Sequence, residues 1–329
     1  MRLANYTPCP HQLLLWCDKD GRDWCSIVVK ATCRLSTGAL LEAQMPIAPA
    51  DELAASGAVS RPADVATRRT GTSVVVKASI WASRDTPAPQ TTARVRVGPV
   101  EKRITAFGPR TWTKKGGAYV PSSSVPFVSV PATLEHAFGG RNANETYHRN
   151  PVGSGLCPDD VRRDGQSLPQ LEDPSSPLRT SEDRPPPAAY DATPATFSPR
   201  LERAGTYDET WRRRRAPLLP VDFDDRYFDV ASEGLVARPF LKGGETVELD
   251  ALHPDGAIRT CVPRLPLRID VNNVRRLPDL DLVVIEPDED RLTLTFRQTC
   301  PVPTDRLALP NATILLLVRR PKVEQVARE

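Results

Sequence analysis

Short apolar runs separated by turn residues dominate both ends of the chain, and their lengths are those of strands rather than helices. Gln12–Cys17 (QLLLWC) and Trp24–Leu35 (WCSIVVKATCRL) flank Lys19-Asp20-Gly21, which predicts a hairpin that ends at Ser36-Thr37-Gly38. Met45–Arg69 is a Pro- and Ala-rich excursion with little periodicity, after which Ser73–Trp81 (SVVVKASIW), Thr92–Val97 and Lys102–Phe107 resume as strands. In the last third, Glu245–Leu249 and Ala257–Val262 flank the turn His253-Pro254-Asp255-Gly256, and Leu280–Ile285 and Leu292–Arg297 flank Pro287–Asp290. Leu292–Phe296 (LTLTF) alternates apolar with polar residues, the pattern of a strand with one buried and one wet face. Ala312–Val318 (ATILLLV) reads as a strand, buried or covered by a partner, and Val323–Glu329 as a frayed tail.

The four residues VVKA occur at Val28–Ala31 and again at Val75–Ala78, each with a lysine amid apolar residues. They predict either a pseudo-repeated pair of strands in one sheet or a coincidence among β-formers. From Pro121 to Pro220 the pattern breaks down: Pro, Gly, Asn and Asp accumulate and the apolar runs are brief. Bulky residues still punctuate this stretch at Phe127, Phe138, Tyr147, Leu156, Leu171, Tyr190, Phe197, Tyr207 and Trp211, and disordered linkers are poor in such groups. The expectation is ordered irregular chain draped over a sheet core, most mobile at Ser175–Pro187. The fold class is therefore mainly β: antiparallel sheets, sandwich or barrel-like, with a long Pro/Gly-rich irregular middle and few short helices. The expected division is one domain over 1–300, with a terminal strand and tail over 301–329. Within that domain, an N-terminal β region spans 1–120, the anchored middle 121–235 and a C-terminal β region 236–300.

Composition sharpens this picture in one respect. The chain has 34 prolines in 329 residues, about twice the usual share of roughly 5%, which forbids long helices over much of its length. The net charge is +3, from 44 basic and 41 acidic residues, so no global attraction to nucleic acid or to an anionic membrane is expected. No run approaches the length of a membrane-spanning helix, and the N-terminus lacks the apolar stretch of a signal peptide, so a cytoplasmic protein is the expectation. Seven cysteines include Cys9, Cys17, Cys25 and Cys33 at intervals of eight. Zinc sites use closer pairs, and buried free thiols are expected.

Candidate chemistry is sparse. There are four histidines, and His136, His148 and Cys157 are too loosely spaced for a metal site. Ser154 lies in VGSG, which is not a nucleophile elbow, and no glycine cluster matches a nucleotide-binding motif. Asp222, Asp224 and Asp225 (DFDD) put three carboxylates within four residues and carry the one enzymatic alternative, a metal-dependent hydrolase. Four consecutive arginines, Arg212–Arg215, stand nearby. Over Thr206–Phe228 (TYDETWRRRRAPLLPVDFDDRYF) five basic residues face five acidic ones. Such a balance argues against phosphate binding and for an ion-pair network. Tyr207, Asp208, Trp211, Arg212, Arg213, Asp222, Asp224 and Asp225 are the candidate residues of a structural clasp pinning the middle to the β core, with Trp211, Phe223 and Phe228 buried and Arg213 important for stability.

Val28–Thr32 (VVKAT), Leu134–Gly140 (LEHAFGG), Asn150–Gly155 (NPVGSG), Ala204–Phe228 and Leu241–Leu249 (LKGGETVEL) resemble, in order and spacing, the bacterial domain-of-unknown-function family 2169. The resemblance runs from about Asn5 to about Arg297 and is most specific over Ala204–Phe228, although His136 stands where an arginine is more usual. It implies a non-enzymatic adaptor or chaperone that binds a secreted toxin effector and helps load it onto a VgrG-type spike of a type VI secretion system. It offers no catalytic residues to carry over, and together with the charge balance the expectation is no cofactor and no nucleic-acid or membrane partner. The other reading it leaves open is a structural component of the spike complex itself.

Overall fold

Three open sheets carry most of the strands in the computed structural model, which describes residues 3–83, 86–142, 144–156, 163–272, 274–302 and 311–316. The central sheet has six strands in the order Val236–Ala237, Thr72–Val76, Asp279–Glu286, Arg291–Pro301, Asp23–Arg34, His11–Cys17. Its neighbours are antiparallel except for Thr72–Val76 beside Asp279–Glu286. The hairpins predicted around Asp20-Gly21 and Pro287–Asp290 are both here, and each is closed by a carboxylate. Asp18 Oδ1 accepts from the amides of Asp20 and Arg22, at 2.9 Å each, and Oδ2 accepts from Trp24 Nε1 at 2.8 Å. Asp290, in the left-handed region at φ 46°, accepts from Ser36 N at 2.7 Å and Ser36 Oγ at 2.8 Å, which ties the two hairpin ends together.

A second sheet orders Leu171–Glu172, Val100–Phe107, Gln90–Val97, Thr246–Asp250 and Ile258–Cys261, all antiparallel. A third orders Leu3–Asn5, Ala312–Leu316, Leu267–Val271 and Val274–Arg276. Apolar residues of all three sheets, among them Ile27, Val74, Val95, Ile104, Leu249, Leu294 and Ile314, form one continuous core. Ala312 and Ile314 belong to that core, so the late strand is integral to the fold; Val318 and the expected tail lie outside the described residues. The molecule is mainly β with antiparallel pairing dominant, and no sheet closes into a barrel among the described residues.

The irregular middle is anchored as expected at Phe127, Phe138, Leu156, Leu171, Tyr190 and Phe197, all buried. Tyr190 passes through the core: its carbonyl accepts from Val76 N at 2.9 Å and its hydroxyl donates to Ala93 O at 2.9 Å. Tyr207 is 53% exposed and anchors nothing in the core. Within Ser175–Pro187, Leu178 is buried and its amide donates to Glu172 Oε2 at 3.0 Å.

Two local expectations fail for reasons of packing. Leu292–Phe296 has no wet face: Thr293 and Thr295 are buried. The strand lies inside the sheet, and the excursion containing Asp64 covers its polar side, where Thr295 Oγ1 donates to Asp64 Oδ1 at 2.7 Å. Ser73–Trp81 is two strands, not one. Thr72–Val76 stays in the central sheet, whereas Ser79–Trp81 leaves it to pair with Ser129–Pro131. Val28–Ala31 and the Val75-Val76 half of the second VVKA copy therefore share one sheet without being neighbours, and each lysine meets a carboxylate: Lys30 to Asp64 and Lys77 to Glu286, both at 2.7 Å.

Asp191 follows Tyr190 into the interior and accepts from Leu134 N at 3.3 Å, while its Oδ1 has no hydrogen-bond partner among the described residues. Burial pushes its carboxyl up to about 8. A folded-state value above the unfolded one means that the native state binds the extra proton, so this group's contribution declines as pH rises from about 4 to about 8. Asp191→Asn, which mimics the neutral acid, should flatten the stability profile over that window. Urea unfolding across the range checks this: a single such group adds a slope of at most about 1.4 kcal/mol per pH unit. An identical slope in wild type and variant would assign the charge cost elsewhere.

Candidate functional site

Ala204–Phe228 begins with a glycine that must be one. At Gly205, φ is 81° and a Cβ would lie 2.8 Å from Pro220 Cβ and 3.0 Å from Asp222 Oδ1, so the two ends of the block touch backbone to side chain. Asp222 closes this contact by accepting from Thr206 N at 3.1 Å and Thr206 Oγ1 at 2.7 Å. Asp208 then caps the helix Glu209–Arg214, its Oδ1 accepting from Trp211 N at 2.7 Å. Six residues make a marginal helix, and the acid in its first turn and arginines in its last suit the macrodipole. Trp211 is half-buried, set edge-on to Tyr207 with ring centroids 4.7 Å apart, and its Nε1 donates to Leu218 O at 2.8 Å.

The arginines do not grip the DFDD carboxylates. Arg213 pairs with Glu209 one turn away at 2.8 Å, with both side chains well exposed. Such a pair contributes at most about 0.5 kcal/mol, so Arg213 is not the stabilising residue that the charge count suggested. Arg215 is the one that fastens: its Nε donates to Leu219 O at 2.5 Å and its guanidinium reaches Lys19 O at the tip of the first hairpin. Asp224 pairs with Arg226, which holds its carboxyl below the usual range. Asp225 is half-buried, and burial raises its carboxyl. Phe223 is buried against Tyr227 and Phe228, each 5.8 Å away, while Phe228 and Trp211 stay partly exposed. Phe228 O is gripped by the buried Arg69, and Arg200 Nε donates to Tyr227 O at 2.8 Å.

Between this block and the first hairpin lies a groove of about 750 Å³. Its walls are Trp16 and Trp24, Asp18, Lys19, Asp20 and Arg22, Arg68, Arg238 and the segment Val221–Arg226. Trp16 and Trp24 face each other across the hairpin and stack at 5.9 Å. The charges lining the groove are of both signs. The tryptophan pair was not among the residues singled out from the sequence, although hairpin register alone places it: a turn centred on Asp20 sets Trp16 opposite Trp24. Arg68 and Arg238 carried no sequence signal.

The groove borders the free edge of the central sheet. Gln12, Leu14 and Trp16 direct their backbone groups to Asp23–Arg34, which leaves those of His11, Leu13, Leu15 and Cys17 pointing outward. Among the described residues none of these four finds a backbone partner on the outer side. Leu15 is 58% exposed, and the strand HQLLLWC carries no Lys, Arg, Asp or Glu of the kind that usually blunts an edge.

The glycine-containing phrases of the middle lie inside. Phe138-Gly139 pairs in parallel with Ser154-Gly155, and buried Asn150 bridges them, Nδ2 donating to Leu134 O at 2.7 Å and Phe138 O at 3.0 Å. His136 Nδ1 meets Gln170 Oε1 at 3.1 Å. Further along, Gly244 N donates to Val262 O at 2.6 Å, and a Cβ at this residue, whose φ is 91°, would meet the Arg264 guanidinium. Cys9, Cys25, Cys33 and Cys300 are buried free thiols, Cys17 is partly buried, Cys261 is exposed, and Cys157 lies outside the described residues. Among the described residues no three His, Cys, Asp or Glu side chains are grouped to hold a metal, and no helix is long and apolar enough to cross a membrane.

These features define a mainly β protein of open sheets whose motifs are largely internal and whose surface offers a groove beside an unpaired strand. The chain belongs to the family described as an uncharacterized protein conserved in bacteria (DUF2169), whose model matches residues 20–297. No curated protein and no solved structure matches it.

Proposed function

We propose that this chain is a non-catalytic adaptor that binds a secreted toxin effector in the cytosol and promotes its loading onto a VgrG-type spike of a type VI secretion system. The observation that carries the binding role is the seven-residue edge strand His11–Cys17, free of Lys, Arg, Asp and Glu and open along its outer side. An extended segment of a partner can add to such an edge, main chain to main chain, with the tryptophan-lined groove receiving side chains beyond it. The assignment of that partner as an effector and a spike protein rests on the family resemblance.

Co-expression with the effector and spike proteins encoded nearby should yield a complex that survives size exclusion at micromolar concentration. Leu15→Pro removes an outward N–H at an exposed position and should weaken that complex at least about tenfold, with the melting temperature little changed. A chain that elutes alone beside both candidates would remove the adaptor reading. A complex indifferent to Leu15→Pro would move the contact elsewhere.

A further inference from the structure

The helix Glu209–Arg214 and the returning segment Pro220–Asp222 line a second cavity, of about 510 Å³, on the surface of the same block. Its apolar wall is made by Trp211, Pro220 and Val221, and Val221 is 69% exposed. The charged groups around it differ in one decisive way. Asp208 is held by the Trp211 amide and Asp222 by the amide and hydroxyl of Thr206, so both acids already accept internal donors. Arg215 donates to the Leu219 and Lys19 carbonyls. Arg214 makes no side-chain hydrogen bond or ion pair with any described residue. The unengaged charged group of the cavity is thus a guanidinium, set beside an indole whose N–H is already bonded to Leu218 O.

We propose that this cavity is a binding site for an acidic-apolar peptide segment: an aliphatic side chain seated against Trp211 and Val221, with a neighbouring carboxylate held by Arg214. A guanidinium fork matches a carboxylate in geometry and charge, and Trp, Tyr and Arg together are the residues over-represented where interfaces concentrate their energy. Exposed Tyr207, packed edge-on against Trp211, extends the aromatic surface on one side. Nucleic acid fits less well. Asp208, Glu209 and Asp222 stand beside the arginines and would repel a phosphate backbone, whereas a single carboxylate meets Arg214 locally. The site rests on the adaptor reading only for its biological use, as the surface that would recognise the cargo.

The test is fluorescence anisotropy with a labelled peptide carrying one leucine flanked by glutamates, against the same peptide with glutamines. Wild-type protein should prefer the glutamate peptide by at least about tenfold, and added salt should erode that preference. Arg214→Glu should lose about tenfold in affinity for the glutamate peptide with an unchanged melting temperature, because its side chain holds nothing in the fold. Arg212→Glu, whose side chain does not line the cavity, should lose far less. Equal affinity for the two peptides, insensitivity to Arg214→Glu, or no binding by wild type up to millimolar peptide would overturn the proposal. So would a DNA duplex that binds in an Arg214-dependent way while the peptide does not. Peptide binding without effector co-purification would remove the adaptor reading and leave the site standing; an effector complex untouched by Arg214→Glu, with no Arg214-dependent peptide binding, would remove the site and leave the adaptor reading.

Discussion

Asp64→Ala should lower stability by about 3–5 kcal/mol, the cost of removing one member of a buried ion pair. Asp64 and Lys30 are almost wholly shielded from solvent and 2.7 Å apart. Burial alone pushes the Lys30 ammonium toward its neutral form, and Asp64 is what opposes that shift. The carboxylate also accepts from Ala48 N and Thr295 Oγ1, each at 2.7 Å, and the backbone carbonyl of the same residue accepts from Arg297 Nη2 at 2.8 Å. Alanine would strand three donors at once, whereas Lys30→Met leaves Asp64 with two of its three. The expected order is therefore Asp64→Ala well below Lys30→Met, read as the shift in urea midpoint at constant m-value. A Lys30→Met variant as unstable as Asp64→Ala would mean that the ammonium, not the carboxylate, organises the cluster.

The same cluster shows where the sequence was legible and where it was not. Hairpins were readable because their information is local: Asp20-Gly21 and Pro287–Asp290 turn the chain between apolar runs, and register follows. The covering of Leu292–Phe296 was unreadable because Asp64 lies 231 residues from Thr295, and nothing in a strand's own pattern says what will lie over its polar face. Within the candidate block, counting charges over Thr206–Phe228 correctly showed balance but paired the wrong members. Helix geometry gives Arg213 to Glu209 and a local turn gives Arg226 to Asp224, while Arg215 bonds carbonyls and the side chains of Arg212 and Arg214 have no partner among the described residues. Net charge over a window cannot distinguish a satisfied arginine from a free one. A free one that lines a cavity, as Arg214 does, is the more informative for function.

Gly139→Ala should be the other severe substitution, lowering stability by about 3 kcal/mol or more. A Cβ there would lie 2.1 Å from the carbonyl oxygen of Asn150 and 2.8 Å from its Cβ. The obstructing atom is backbone, so no side-chain rotation relieves the clash. That carbonyl accepts from Gly140 N at 2.8 Å, and the Asn150 side chain holds Leu134 and Phe138, so displacing it opens the whole Phe138–Gly155 junction. Phe138 in turn packs with Trp112, Leu156, Leu168 and Leu178 in a satellite core apart from the main one. Gly117→Ala is the matched control: φ is 89°, so it bears the conformational penalty of about 1–2 kcal/mol, but no atom lies within 4 Å of its Cβ. The excess of Gly139→Ala over Gly117→Ala in urea unfolding isolates the clash. Hydrogen exchange adds direction, since the amides of Gly140 and Leu156 should lose protection while Val74 and Val283 in the central sheet keep theirs. Equal destabilisation by the two variants would show that the junction yields easily, and that LEHAFGG and NPVGSG serve something other than this packing.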